Sequence, residues 1–385
     1  MNNFKKILFI WIHPLKPNSG GIERVTSVVM DGLEKINYDC HYLQFIEWKN
    51  EFIYLGNVIS NFNYFISSNK FDVIVNQDGY SSSVTQYINS SLWSGSYIVF
   101  YHNDPKFYLS LYNFERSLLE ILGPDKSILH RLGWILRILF YPIRKFILVR
   151  KLTLINNINY EKCNYYVLLS ESYFKNFKCL SNNSNLLKLK AINNPLSFDV
   201  KYGIDDIQKK NKEVLIVSRM DEAQKRISYC LEIWRHIEMC GFEDWILNIV
   251  GDGPDLPYYK NLALNLGLKR VIFHGNSSPI NFYNSASIFM MTSRTEGWGL
   301  TLTESLQTGV VPIVMDSYLS LHDIIINHYN GIIIKNNNIS AFVKELMNLM
   351  LNKNFREKIA LNCVKSSIKF SKENILSKWL TILND

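Results

Sequence analysis

The stretch Ser293-Arg294-Thr295-Glu296-Gly297-Trp298-Gly299-Leu300-Thr301-Leu302-Thr303-Glu304-Ser305-Leu306-Gln307-Thr308-Gly309 decides how the chain is read. It begins where a short apolar run, Ile288-Phe289-Met290-Met291, gives out. It then turns through two glycines and enters a segment with helical spacing. Leu302 and Leu306, one turn apart, predict a core-facing side. Glu304 falls roughly opposite them and is expected to face away from the core. Gly297 and Gly299 can adopt backbone angles that other residues avoid, and expose N–H groups beside a helix N-terminus, which suits an anion. Carboxylates at Glu296 and Glu304 flank that anion site. A ligand with hydroxyls at both ends and phosphate in the middle, a nucleotide sugar, has the matching chemistry. Thr301-x-x-Glu304 also fits a capping box, which stabilises a helix start with no ligand at all.

Outward from this stretch, short β-rich runs alternate with helical ones. The first half offers Ile7–Ile12, Cys40–Ile46, Asp72–Asn76, Tyr97–Tyr101, Tyr166–Leu169 and Leu189–Ile192 as strands. The second half offers Val214–Val217, Ile246–Val250, Val271–Phe273, Ile288–Met291, Val311–Val314 and Ile332–Ile334. Such alternation predicts α/β architecture with parallel sheets, and two series predict two doubly wound domains. Asn193-Asn194-Pro195 and the polar stretch to Lys212 form the natural boundary.

Polar residues recur where strands end. Arg219, Gly251-Asp252-Gly253, His274-Gly275, Glu296 and Asp316 all follow strands of the second series, and such positions share the ligand-binding edge of a parallel sheet. Arg219 and Lys225 could clamp a diphosphate, the first by bidentate bonds and the second as a point charge. Solvated surface charges are the plainer reading of the same pair. In the first half, Gly20 and Gly21 open a helix and could bring backbone N–H groups to a phosphate, or form a tight turn capped by Ser19. His102 ends another strand, as a structural histidine or a site residue.

Composition sets the outer bounds. The 385 residues, 47% hydrophobic and 20% charged, suit ordinary globular domains with large cores. Six scattered cysteines (Cys40, Cys163, Cys179, Cys230, Cys240, Cys363) form no C-x-x-C pair, which points to a reducing compartment. The apolar run Ile7–Ile12 is too short for a signal peptide and reads as a first strand. No apolar run is long enough to span a membrane. A net charge of +8 favours anionic partners without choosing among them.

Taken together, these residues resemble family 4 of the glycosyltransferases, retaining enzymes of the GT-B fold. The resemblance rests on Gly20-Gly21, Asn194-Pro195, Ser218-Arg219 with Lys225, Gly251-Asp252-Gly253-Pro254 and Phe273-His274-Gly275. It continues through Glu296-x7-Glu304 and Gly309-x-x-Pro312. It implies two Rossmann-like domains facing a central cleft. Residues 1–196, completed by a crossover helix at 370–385, would bind the acceptor, and 197–369 the nucleotide-sugar donor. By the same resemblance Glu304 holds the ribose, while Arg219 and Lys225 bind the diphosphate. Glu296 and the backbone of Gly297, Trp298, Gly299, Leu300 and Thr301 hold sugar and phosphate, with Gly251 in the same donor region. Gly20 and Gly21 approach the diphosphate, and His102 contacts the transferring sugar, so His102 and Glu296 are the catalytic candidates. The segment Ser317–Asp323 departs from the family's paired glycines and glutamate.

Lack of an Asp-x-Asp predicts chemistry without metal or other cofactor, with cations and helix N-termini stabilising the departing diphosphate. Retention through a covalent intermediate would need a nucleophilic carboxylate; Glu296 is not read as one. Ile128–Leu152 is apolar and basic, with Arg137, Arg144 and Lys151 recurring every seven residues and Pro142 as a possible kink. It reads as an amphipathic contact for an anionic membrane surface, or as helices packed in the first domain with solvated cations. The resemblance favours the membrane. The resulting expectation is a hexosyltransferase, using a UDP-sugar before a GDP-sugar and a lipid-linked saccharide acceptor of lipopolysaccharide, O-antigen or capsule type. It would sit in the cytoplasm at the inner face of the membrane. Competing readings are a GT-B epimerase or hydrolase of nucleotide sugars and a non-catalytic binding protein. A dinucleotide oxidoreductase is disfavoured because Gly251-Asp252-Gly253-Pro254-Asp255-Leu256 lacks the fingerprint's third glycine. Nucleic acid is not an expected partner, since the basic residues sit among apolar ones.

Overall fold

The computed structural model describes residues 5–17, 20–110, 121–122 and 127–385. The chain divides into two compact units, Met1–Asn193 with Ile375–Asp385, and Asn194–Asn374.

The first unit is built on an 8-stranded sheet of order β4-β3-β2-β1-β5-β6-β7-β8. Its strands are β1 (Lys6–Trp11), β2 (Asp39–Ile46), β3 (Glu51–Tyr54), β4 (Asn57–Ile59), β5 (Val73–Asn76), β6 (Ser96–Tyr101), β7 (Tyr165–Leu168) and β8 (Leu189–Ala191). From β2 to β8 every pairing is parallel, whereas β3 and β4 add an antiparallel hairpin at one edge. That hairpin was not foreseen from the sequence. It turns through Leu55 and Gly56, both at positive φ, and leucine there is a weak turn signal. β1 and β5 are apolar at consecutive positions and buried on both faces, as central parallel strands require.

Three helices of this unit bear on function. Helix α1 (Gly21–Glu34) follows β1 and buries Val25, Val29, Met30 and Leu33. Helices α2 (Ile128–Leu139) and α3 (Tyr141–Lys162) meet at Phe140, which caps both. Pro142 therefore does not kink one long helix. It lies in the first turn of α3, where its missing N–H costs nothing.

The second unit carries a 6-stranded, all-parallel sheet of order β11-β10-β9-β12-β13-β14. The strands are β9 (Glu213–Val217), β10 (Ile246–Val250), β11 (Val271–Phe273), β12 (Ile288–Met291), β13 (Val311–Asp316) and β14 (Ile332–Lys335). Strand order reverses between β9 and β12, which pair Ile288 with Val214 and Phe289 with Leu215. The loops leaving these two strands therefore flank the switch point, where open α/β sheets bind ligands. They lead into α4 (Glu222–Lys225) and α5 (Ile227–Met239) on one side and α6 (Leu300–Gln307) on the other. Helix α7 (Lys353–Ser367) packs on α6.

Helix α8 (Lys372–Leu383) starts in the second unit and finishes in the first. There it buries Ile375, Trp379, Ile382 and Leu383, with the Trp379 ring against Phe9 and Phe100. Gly32 of α1 permits this approach, since a Cβ there would meet Leu376 at 2.5 Å. No described helix is long and apolar enough to cross a membrane.

Candidate functional site

At the switch point of the second sheet, the loops after β9 and β12 bring two opposite charges together. Lys225, the last residue of α4, donates from Nζ to Glu296 Oε1 at 2.6 Å. Their side chains are 18% and 8% exposed, so the pair is largely removed from water. Lys225, Glu296 and Thr301 line one small cavity with Ser218, Thr292 and Ser293. The loops are stitched by backbone as well. The Arg294 N–H donates to the Gln224 carbonyl at 2.7 Å, and Gln224 Nε2 donates to the Thr295 carbonyl at 3.2 Å.

Glycine chemistry explains the next turn. Gly299 is the N-cap of α6 at φ 86, a left-handed conformation that suits glycine. No side chain caps this helix, so the capping box anticipated for Thr301 and Glu304 does not form. The first turn of α6, through Leu300 and Thr301, opens beside the Lys225–Glu296 pair. This is the electrostatic arrangement that attracts phosphate. Glu304 differs from expectation. It is 1% exposed rather than turned to solvent, because α6 is buried from Leu302 through Gln307, with α7 among its neighbours. A carboxylate this deep is costly unless hydrogen-bonded or matched by a ligand.

Trp298 does not open into the cavity. It is buried, with its ring edge-on to Phe370 at 5.2 Å, and so anchors the turn from below. The unusual segment after β13 braces the same turn. Ser320 Oγ donates to the Gly297 carbonyl at 3.2 Å, Ser317 Oγ donates to the Ser293 carbonyl at 2.5 Å, and Tyr318 contacts Met291 Sδ.

Arg219 lies at the rim. Its guanidinium is 61% exposed and donates to Asp221 Oδ2 at 2.7 Å and Gln224 Oε1 at 3.2 Å. Gly251 plays a packing part. Its φ is 134, and a Cβ there would lie 1.9 Å from the Ser218 carbonyl oxygen, so only glycine lets the β9 and β10 loops touch. Its N–H is already given to the Gly275 carbonyl at 2.7 Å.

Arg226 was missed by sequence reasoning, where a cation beside Lys225 reads as solvent-facing. It is 1% exposed and holds a left-handed backbone at φ 49. Its guanidinium donates to the carbonyls of Thr292 and Ser293 at 2.8 and 3.1 Å. It also donates to the side chains of Asn336 and Asn337 at 2.8 and 2.6 Å. One side chain thus ties the β12 and β14 loops to the residue next to Lys225. The fork of five donors suits this task as a lysine would not.

In the first unit, Gly20 is the N-cap of α1 with extended backbone and no side-chain cap. Ser19 lies outside the described residues. The Glu23 carboxylate folds back over Gly20, where a Cβ would meet it at 2.3 Å, and accepts from Trp11 Nε1 at 3.1 Å. An acid in the first turn is favourable there. Gly21 is the first residue of the helix. His102 is buried, stacked on Phe100 at 4.3 Å, and its Nε2 pairs with Gln77 Oε1. Burial pushes its pKa down to about 3, so it is neutral at any ordinary pH. Beside Gln77, burial and the Glu47 charge raise the Asp78 carboxyl to about 7.

Comparison with known proteins bears on the fold and the enzyme class. Residues 202–365, all within the second unit, match the family model of glycosyl transferases group 1. An uncharacterized glycosyltransferase of Haemophilus influenzae is 29% identical over 175 residues, covering 45% of this chain and 49% of that one. The amylovoran biosynthesis glycosyltransferase AmsD of Erwinia amylovora is 28% identical over 183 residues, covering 47% and 50%. The chain thus spans about half the length of the curated relatives it matches. Among solved structures, HepE from Anabaena with UDP and glucose superposes with a TM-score of 0.68 at 15% identity, covering 99% of this chain and 100% of that one. The lipopolysaccharide outer core galactosyltransferase WaaB gives 0.66 at 16% identity, covering 98% and 99%. The fold is therefore GT-B. The family match groups residues 202–365 with group 1 glycosyltransferases, and a transferase is the enzyme class it indicates.

Proposed function

We propose that this chain transfers a hexosyl unit, with retention of configuration, from a nucleotide-diphosphate sugar to a lipid-linked saccharide in cell-surface polysaccharide synthesis. A UDP-sugar is the preferred donor, and the reaction runs at an anionic membrane surface at the inner face of the cell membrane, without a metal. The observation that carries this reading is the Lys225–Glu296 pair at the switch point, beside the uncapped N-terminus of α6. The names of the relatives and the UDP and glucose bound by HepE support it.

The residues divide the work by chemistry. Lys225, Arg219 and the N–H groups opening α6 offset the negative charge that grows on the departing diphosphate. Glu304 accepts hydrogen bonds from ribose hydroxyls, and that contact offsets the cost of its burial. Glu296 is committed to Lys225, so it acts by holding sugar hydroxyls and orienting the ammonium, not as a nucleophile. His102, neutral through burial, offers a hydrogen bond rather than a charge to the transferring sugar.

Calorimetry with UDP, GDP and ADP and their sugars tests this assignment. Binding of one nucleoside diphosphate, lost in Arg219→Ala and Lys225→Met, is the expected result. Wild-type affinity in both variants would place the donor elsewhere. Product release from donor without acceptor, at the full rate, would favour a hydrolase or epimerase.

A further inference from the structure

Helix α2 breaks the rule that an amphipathic helix turns its apolar side to the core. Ile128, Leu129, Leu132, Ile135, Leu136 and Leu139 fall on one stripe, an arc of about 120° at helical spacing. All six are exposed, from 40 to 82%, and α2 has no buried residue. The stripe continues across the junction as Phe140, Ile143, Phe146 and Ile147, each more than half exposed. Contiguous exposed apolar surface of this extent marks a contact site.

Charge is layered on this surface. Arg137, Lys145, Arg150 and Lys151 are exposed. Arg137 lies over Trp134 and Arg150 over Phe146, each at 4.5 Å from the ring centroid. Arg150 and Lys151 lie one helical turn beyond Phe146 and Ile147, about 5–6 Å along α3. The buried positions of α3 begin with the next residue, Leu152. Leu152, Ile155, Asn156, Asn159 and Tyr160 are buried, and Asn159 Nδ2 donates to the Ser81 carbonyl at 3.0 Å. Arg137 and Lys145 thus sit among the apolar residues, Arg150 and Lys151 form a cationic band beyond them, and the root is fixed.

We infer that α2 and the first half of α3 form an interfacial anchor that inserts its apolar stripe into an anionic bilayer, with the cationic band at the phosphate level. This rests on the proposed lipid-linked acceptor, and deepens it by assigning insertion, not surface charge alone, as the attachment. An interfacial helix lies in the headgroup plane with its apolar face buried roughly 5–10 Å, and Arg137, on the side of α2 away from the stripe, would stay at the phosphate level. A second copy of the chain would bring like cations against each other around the same stripe; anionic lipid complements them.

Flotation with phosphatidylcholine vesicles, with and without phosphatidylglycerol, tests the anchor on the full chain. The wild type should float with both, at least tenfold more strongly when phosphatidylglycerol is present. Leu132→Asp with Leu136→Asp and Leu139→Asp should reduce binding to both by tenfold or more. Lys145→Gln with Arg150→Gln and Lys151→Gln should abolish the preference for phosphatidylglycerol and leave neutral binding. Unchanged thermal unfolding would confirm that these exposed sites leave the fold intact. A wild type that ignores both vesicles at low salt overturns the anchor. So does a solution dimer dissolved by the leucine variants, which would make the stripe a self-contact. Transfer to a short, lipid-free saccharide should be unaffected in either variant. If the wild type floats but transfers to no acceptor, the transferase reading fails and the anchor stands.

Discussion

Separating Lys225 from Glu296 by mutation should split stability from ligand binding. Lys225→Met keeps the volume of the side chain and leaves the Glu296 carboxylate, 8% exposed, without its 2.6 Å partner. Breaking a buried pair by removing one member costs about 3–5 kcal/mol, and the partial exposure of Lys225 argues for the lower end. About 3 kcal/mol corresponds to a fall in Tm of roughly 6–12 °C for a unit of this size. Glu296→Gln leaves behind a cation that can reach water, so its cost should be roughly 1 kcal/mol. The double variant removes both charges and should recover most of the loss.

Binding should follow a different order. Lys225→Met forfeits a charge-assisted contact of roughly 1.5–3 kcal/mol, a ten- to hundredfold loss of UDP affinity. Glu296→Gln instead releases Lys225 from its competitor, so UDP should bind as tightly as to wild type or more tightly, while sugar transfer collapses. Differential scanning calorimetry and UDP titration of all three variants read both orders. A double variant as unstable as Lys225→Met alone would refute the coupling. A Glu296→Gln protein that loses UDP affinity as severely as Lys225→Met would refute the division of roles.

Transfer should persist in excess EDTA, because fixed cations offset the diphosphate; loss restored by Mg2+ or Mn2+ would contradict this. Arg226→Gly keeps the left-handed backbone but deletes the clamp on Thr292, Ser293, Asn336 and Asn337. It should cost about 3 kcal/mol and weaken UDP binding although Arg226 is not proposed to touch the ligand, with partial rescue by lysine. His102 and Asp78 should tilt stability in opposite senses with pH. The histidine's pKa is lowered to about 3, so the unfolded chain binds its proton first, and stability falls by about 1.4 kcal/mol per unit as pH drops from about 6.5 towards 3. The Asp78 pKa is raised to about 7, so the folded chain holds its proton, and stability falls as pH rises from about 4 to 7. Asp78→Asn removes that opposing contribution, so between those limits its stability should fall more steeply with acid than that of wild type.

The strand-end residues were legible because parallel strands read as apolar runs and the residue that breaks each run falls at one sheet edge. What stayed hidden depends on tertiary neighbours. The wheel placed Glu304 opposite Leu302 and Leu306 correctly in angle, but could not show that the far side of α6 is also covered. Arg226 reads as a surface charge until loops distant in sequence supply its carbonyl and amide acceptors. Gly251 was expected in the donor region, yet its N–H is already used by the adjoining strand's loop. The hairpin at β3 and β4 escaped because its turn carries leucine at positive φ. The apolar and basic character of Ile128–Leu152 was plain in the sequence, whereas the outward direction of its stripe was not.

The most direct test of the account is transfer itself. Purified protein would be given a labelled UDP-sugar and a lipid-linked saccharide in phosphatidylglycerol vesicles with EDTA present, and the product's anomeric configuration determined. Labelled saccharide of retained configuration, formed by wild type and absent with Lys225→Met, is the expected result. Free sugar released at the same rate without acceptor, or a product of inverted configuration, would contradict it.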